Sequence, residues 1–292
     1  MISRAQEHGI EAFDAELTLV HTFPLEENPQ THAVSVSRAR DRKAWVTEES
    51  VICIGADNAE IWRFELGPRG DAVGHQNDVA FADDDRHVWL YAPHVRAGRG
   101  PHDQWIVLDA ATGAEVARHD LPTAGRGGAH HGLGDGRMLL DVGEGQDGTR
   151  CFVATVDGPV TRPGTWTNRV PIDVSPDLRL IMTVDHEQED VAFHRVTDFA
   201  TTVRVPLSAF GDWEPGTAGV EWTGGFLTAE TAIVVVSGEE TGAMWWKHFT
   251  VDARTGSHVD EMHIATVDEF DLIPLGDGTY VITDTDGTLR RM

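Results

Sequence analysis

Asp109-Ala110-Ala111-Thr112-Gly113 recurs far along the chain as Asp252-Ala253-Arg254-Thr255-Gly256. Each copy follows an apolar run, Trp105 to Leu108 in one case and Met244 to Val251 in the other, and precedes a second short strand-like segment. An Asp whose side chain caps a turn, followed by a Gly free to take positive φ, is the chemistry of a tight β-hairpin. The same hairpin at two distant places predicts an array of similar β units.

A second element recurs upstream of these hairpins: an apolar strand, an Asp-rich turn and another alternating strand. Val79-Ala80-Phe81 meets Asp83-Asp84-Asp85-Arg86 and then Val88-Trp89-Leu90; Ile172-Asp173-Val174 meets Ser175-Pro176-Asp177 and then Leu180-Ile181-Met182. Leu272-Ile273 leads through Gly276-Asp277-Gly278 to Tyr280-Val281-Ile282, and weaker copies begin at Val34, Gly132 and Val220. Period-2 alternation bounded by Asp, Gly and Pro is the strand signal. The first-strand markers Val34, Val79, Gly132, Ile172, Val220 and Asp271 are spaced by 45, 53, 40, 48 and 51 residues. That is the spacing of four-stranded propeller blades. The expectation is an all-β, six-bladed β-propeller forming one domain over residues 1–292. Seven blades remain open if the segment 16–45 hides a further half-blade. Residues 1–15 are read as an extension, with a short helix from Ser3 to Phe13. Residues 16–23 are read as a strand that completes the last blade and closes the ring, since an unpaired edge invites aggregation.

The stretch from Gly74-His75 through Val79-Ala80-Phe81, Asp85-Arg86 and Trp105 to the Asp109–Gly113 turn resembles a blade of the WD40-type and YVTN-type propeller group. Val174-Ser175-Pro176-Asp177 is similar to the inner turn of the same families. No Trp-Asp dipeptide occurs, so the resemblance is to a degenerate WD40-like repeat. It implies a platform for proteins or ligands; fold alone does not assign function.

Composition bounds the partners. Forty-eight acidic against twenty-three basic residues give a net charge of −25. Such a surface repels nucleic acid and anionic membranes, so neither is expected as a partner. Lys43 and Lys247 are the sole lysines among the bases, which fits codon bias in a GC-rich genome. Cys53 and Cys151 lie in strand runs about two blades apart, too far to bond, and are expected as buried free thiols in a reducing compartment. The first residues carry no apolar signal core, and the expected location is the cytoplasm.

In a propeller the loops leading into the first strands, and the loops between second and third strands, gather on one face. Here they carry His32, His75, Asn77, Asp78, His130, His131, Glu221, Trp222, Asp268 and Asp271, joined by His186, Glu187, Glu189, Trp166 and Trp213. The ligand-binding set is therefore read as His32, His75, Asn77, Asp78, His130, His131, Trp166, Trp213, Glu221, Asp268 and Asp271. Imidazole and carboxylate together suit a divalent cation, with His75, His130 and Asp271 as its ligands. A polar water-filled mouth is the competing reading, and a loop Trp can equally plug its own loop. No nucleophile elbow, phosphate loop or dinucleotide fingerprint occurs. Two functions remain: a binding module for a protein partner or small ligand, and an enzyme with a His/carboxylate funnel acting as a metal-assisted hydrolase, lyase or isomerase.

Overall fold

The computed structural model describes residues 2–6, 9–24, 31–68, 74–164, 166–257, 260–284 and 286–292. Among them the chain is all-β apart from two single 3-10 turns, and its strands form seven sheets. Each sheet is an antiparallel meander of consecutive strands, the blade topology of a β-propeller. The count is thus seven blades, not six. The chain divides into two compact units, residues 1–162 and 163–292.

The first unit holds four blades. Blade 1 comprises β1 (Ile2–Gln6), β2 (Gly9–Phe13) and β3 (Leu19–Pro24). Blade 2 comprises β4 (Ala33–Val36), β5 (Arg42–Val46), β6 (Ser50–Gly55) and β7 (Glu60–Glu65). Blade 3 comprises β8 (Asp78–Phe81), β9 (His87–Ala92), β10 (Asp103–Asp109) and β11 (Glu115–Leu121). Blade 4 comprises β12 (Gly127–Gly132), β13 (Arg137–Gly143) and β14 (Thr149–Thr155).

The second unit holds three. Blade 5 comprises β15 (Arg169–Val174), β16 (Leu180–Asp185), β17 (Asp190–Arg195) and β18 (Thr201–Pro206). Blade 6 comprises β19 (Ala218–Phe226), β20 (Thr231–Glu240), β21 (Ala243–Asp252) and β22 (Asp260–Met262). Blade 7 comprises β23 (Ile273–Pro274), β24 (Tyr280–Thr283) and β25 (Leu289–Arg291).

The N-terminal expectations need correction. Ile2–Gln6 and Gly9–Phe13 are paired antiparallel strands, with Ser3 opposite Ala12 and Arg4 opposite Glu11, not a helix. The strand read as closing the last blade is β3, which pairs with β2 inside blade 1. The helix-forming residues of this stretch are overridden by packing: Ile10, Ala12 and Phe23 are buried against Val36, Trp45, Ile52 and Ile54 of blade 2.

The cores lie between neighbouring blades. Val46, Cys53 and Trp62 of blade 2 meet Leu90, Ile106 and Leu108 of blade 3. Trp89, Tyr91 and Trp105 meet Met138, Leu140 and Phe152 of blade 4. In the second unit Phe193 and Val203 of blade 5 meet Phe226, Val234 and Phe249 of blade 6. Middle strands are covered on both faces and read as unbroken apolar runs; β6 is buried throughout, whereas outer strand β11 alternates. Cys53 and Cys151 are free and buried.

The repeated turn explains this stacking. Asp109 Oδ1 accepts from the amides of Ala111 and Thr112 at 3.1 and 2.9 Å, as Asp252 Oδ1 does from Arg254 and Thr255 at 2.9 and 2.8 Å. Gly113 and Gly256 take φ of 70° and 71°. A Cβ on Gly113 would lie 2.7 Å from the Trp62 ring of blade 2, and one on Gly256 would lie 2.9 Å from Val203 of blade 5. Each turn therefore seats against the outer strand of the preceding blade. A third copy escaped the sequence reading: Arg195-Val196-Thr197-Asp198-Phe199 makes the same five-to-one amide bond, Phe199 N to Arg195 O at 2.8 Å, with Phe199 at φ 60° where the others have glycine.

Candidate functional site

In the first unit His32, Asn77, Asp78 and His130 make hydrogen bonds between neighbouring blades. His130 Nδ1 donates to Asp78 Oδ2 at 2.5 Å, and the Trp105 indole N–H donates to His130 Nε2 at 3.0 Å. The indole is a donor only, so Nε2 must accept and the ring proton sits on Nδ1. The His130 side chain has 0 % exposure. His32 Nδ1 accepts from the Asn77 amide at 3.1 Å, and the Asn77 side-chain amide donates to Thr47 O at 2.6 Å. The His75 ring lies edge-on to His32, 6.1 Å between centroids, and is buried. His131 Nε2 stands 3.5 Å from Asp141 Oδ1 within blade 4. Asp103, which the sequence reading passed over, is a fully buried carboxylate accepting from Tyr91 OH, Thr123 Oγ1 and the Gly125 amide at 2.9, 2.8 and 2.8 Å.

Three of the expected residues of the second unit are also structural. Trp166 is buried, donates to Phe199 O at 2.9 Å and packs at a tilt of 52° against His194, 4.6 Å between centroids. His194 in turn bonds Thr183 Oγ1 at 2.8 Å and Thr201 Oγ1 at 3.1 Å. Burial, reinforced by Arg169 and Arg204, lowers its pKa to about 3. Asp271 accepts from the amides of Val267 and Thr283, both at 3.1 Å, and Asp268 from that of Phe270 at 2.9 Å; both carboxylates shape their own loop.

Glu221 and Trp213 behave differently. Strands β19 and β20 are in register at Val220 and Val236 and again at Gly224 and Val234. Glu221, Trp222 and Thr223 thus oppose Val235 alone, and the first strand bulges outward. Gly224 and Gly225, at φ 107° and 143°, let the chain rejoin the sheet. A Cβ on Gly224 would run into the Ile233 carbonyl oxygen. The bulge leaves Trp222 44 % exposed. One face of its ring stacks on His186 (5.6 Å, 26°), and its N–H donates to Asp185 O at 3.3 Å. Glu221 accepts the Ser237 hydroxyl on Oε1, and Gln188 Nε2 approaches Oε2 at 3.5 Å. Gln188 holds φ 61°, and its carbonyl accepts the Val220 amide at 2.9 Å. Loop 185–189 therefore supports the bulge through its backbone.

The same loop forms one wall of a groove of about 520 Å³. Glu187, Gln188 and Glu189 face Pro206, Leu207 and the loop Gly211-Asp212-Trp213-Glu214-Pro215-Gly216. Trp213 stacks on Trp245 at 4.7 Å and 20°, and its buried indole N–H has no hydrogen-bond partner among the described residues. Glu187, Glu189, Asp212 and Glu214 line the groove, no Lys, Arg or His does, and none of the four is in an ion pair among the described residues. Trp213, Glu221, Trp222, His186, Glu187 and Glu189 are among the residues expected from the sequence; Gln188, Ser237, Asp212 and Glu214 are not. A signal for Asp212 and Glu214 was present in the Gly/Pro-bounded acidic loop 211–216, and Gly224-Gly225 marks the bulge.

Among the described residues no group of three or more His, Cys, Asp or Glu side chains is arranged to hold a metal ion. No helix among them is long and apolar enough to cross a membrane.

No protein-family model matches the sequence, and no curated protein matches it. Solved structures do resemble it. A functionally unknown protein from Desulfotomaculum acetoxidans aligns over 98% of this chain and 89% of its own, with 14% identity and a TM-score of 0.58. Hydrazine synthase from Kuenenia stuttgartiensis aligns over 91% of this chain and 77% of its own, with 11% identity and a TM-score of 0.57. BamB from Moraxella catarrhalis aligns over 99% and 95%, with 14% identity and a TM-score of 0.49. At these identities the first two likenesses establish the fold alone.

Proposed function

We propose that the protein is a binding module that uses the bulge and groove of its second unit to hold a cationic ligand or protein segment. One observation carries the reading: a glycine-flanked bulge presents Glu221 and an exposed Trp222 beside a groove lined by four carboxylates and no basic side chain. Aromatic surface supplies contact area, and unpaired carboxylates supply sign selectivity. The propeller fold and its WD40-type resemblance agree with a platform role, though neither selects a ligand. A charge of −25 steers cations toward the molecule and anions away. We assign this role to a reducing compartment, where Cys53 and Cys151 stay thiols.

The test is calorimetric titration with a hexapeptide of alternating lysine and arginine, and with hexaglutamate as control. The basic peptide is expected to bind with an affinity that falls as salt rises, and hexaglutamate not at all. Replacing Glu187, Glu189, Asp212 and Glu214 together by Gln should weaken binding at least about tenfold, since each partly screened pair contributes modestly. No binding of the basic peptide, or no change in the fourfold variant, overturns the reading.

A further inference from the structure

The geometry points to an arginine side chain of an extended peptide segment as the group held at the bulge, an inference that rests on the cationic reading above. Trp222 has one ring face covered by His186 and the residue is 44 % exposed, so a flat aromatic surface remains open to solvent. Glu221, its chain neighbour, has Oε1 occupied by the Ser237 hydroxyl, while Oε2 meets only the long 3.5 Å approach of Gln188. That oxygen retains accepting capacity. The serine and Gln188 fix the orientation of the carboxylate in advance, which lowers the ordering cost of binding. A planar guanidinium stacks on an indole and donates from its edge at the same time; a lysine ammonium is a compact, strongly hydrated point charge that gains less from the flat face.

A peptide, rather than a free small cation, follows from the continuity of the surface. Asp185 and His186 hold Trp222, and the next three residues of the same loop wall the groove of about 520 Å³. A segment whose arginine rests on Trp222 is thereby led toward the carboxylates of the groove, with Pro206, Leu207 and Pro215 as apolar lining.

The experiment uses the full chain and three acetylated, amidated pentapeptides of identical sequence with arginine, lysine or citrulline at the centre, flanked by glycine and serine. Citrulline keeps the planar shape and removes the charge. Arginine should bind about fivefold tighter than lysine and at least about tenfold tighter than citrulline. Trp222→Leu should bring arginine and lysine level. Glu221→Gln, which keeps an acceptor for Ser237, should weaken arginine about tenfold. Equal binding of arginine and lysine to the native protein overturns the inference, as does a preference that survives Trp222→Leu, while hexapeptide binding shows the cationic groove still stands. Failure of every basic probe overturns both. Should Trp222→Leu fail to fold, the native ranking and Glu221→Gln still decide.

Discussion

The junction between blades 3 and 4 and the junction between blades 5 and 6 begin from similar materials and end in opposite states. In the first, Asp78 and His130 stand on regular first strands and face Trp105, and the imidazole is sealed at 0 % exposure. In the second, the first strand breaks register, and Glu221 and Trp222 are pushed outward. Regular register turns polar residues into blade-to-blade connectors; the break in register leaves Trp222 exposed. Residue type alone does not distinguish the two outcomes.

The largest expected effect comes from opening the sealed junction. His130→Ala removes the partner of both Asp78 and the Trp105 indole, leaving a carboxylate and a buried N–H unsatisfied. Destabilisation of about 3 kcal/mol is expected, at the upper end for such groups. Urea denaturation measures it, and Glu221→Gln at the open junction should cost about 0.5 kcal/mol or less by the same assay. A cost for His130→Ala no larger than that of Glu221→Gln would erase the contrast between the two junctions.

Closing the bulge is the reciprocal experiment. Gly224→Ala places a Cβ against the Ile233 carbonyl at φ 107°, a conformation alanine rarely adopts. The expected cost is about 2 kcal/mol. Because the strain sits next to Glu221 and Trp222, affinity for the basic hexapeptide should fall in the same variant. Stability lost with affinity unchanged would separate the bulge from the binding surface.

The strand array was legible because its signals are local. First strands fall on Val34, Val79, Gly132, Ile172 and Val220, and both Asp/Gly turns form as read. Seven blades stayed only an alternative because no Asp-rich stretch marks the first two strands of blade 1 and their Arg, Ala, Gln and Glu residues favour a helix until Ile10 and Ala12 are packed on blade 2. The site was half legible. Glu221, Trp222 and Trp213 could be placed on the right loops, but the pairing that sealed His130 and left Trp222 open depends on register, which no single strand encodes. Asp103 and Gln188 carry no sequence signal, since each matters through contacts with residues distant along the chain or backbone geometry.

A sealed histidine also gives the second unit a pH signature. His194 is held near pKa 3 in the folded protein by burial, against its ordinary value of 6.5. The folded state thus refuses a proton that the unfolded chain accepts. The associated stability is complete above about pH 6.5 and is lost progressively as pH falls toward the folded value. Near pH 5.5 the loss relative to pH 7 is about 1 kcal/mol from this residue. His194→Gln keeps polar partners for Thr183 and Thr201 and should flatten the slope by that amount in denaturation curves at the two pH values. An unchanged slope would mean that His194 is not the group taking up the proton.

The smallest expected effect tests whether the three repeated turns are physically one turn. Phe199 occupies, at φ 60°, the place that Gly113 and Gly256 hold in blades 3 and 6. A non-glycine residue there costs about 1 kcal/mol of backbone strain. The Phe199 ring returns a similar amount through its edge contact with Trp166, 5.6 Å between centroids, since aromatic pairs contribute about 1 kcal/mol. Phe199→Gly removes both, so net stability should change by less than about 0.5 kcal/mol. Phe199→Ala keeps the strain and loses the ring, and should be less stable than Phe199→Gly by about 1 kcal/mol. The difference between the two variants isolates the backbone term. If Ala and Gly prove equivalent at 199, the φ of this turn is not the left-handed one that Gly113 and Gly256 share, and the third copy of the repeat is lost.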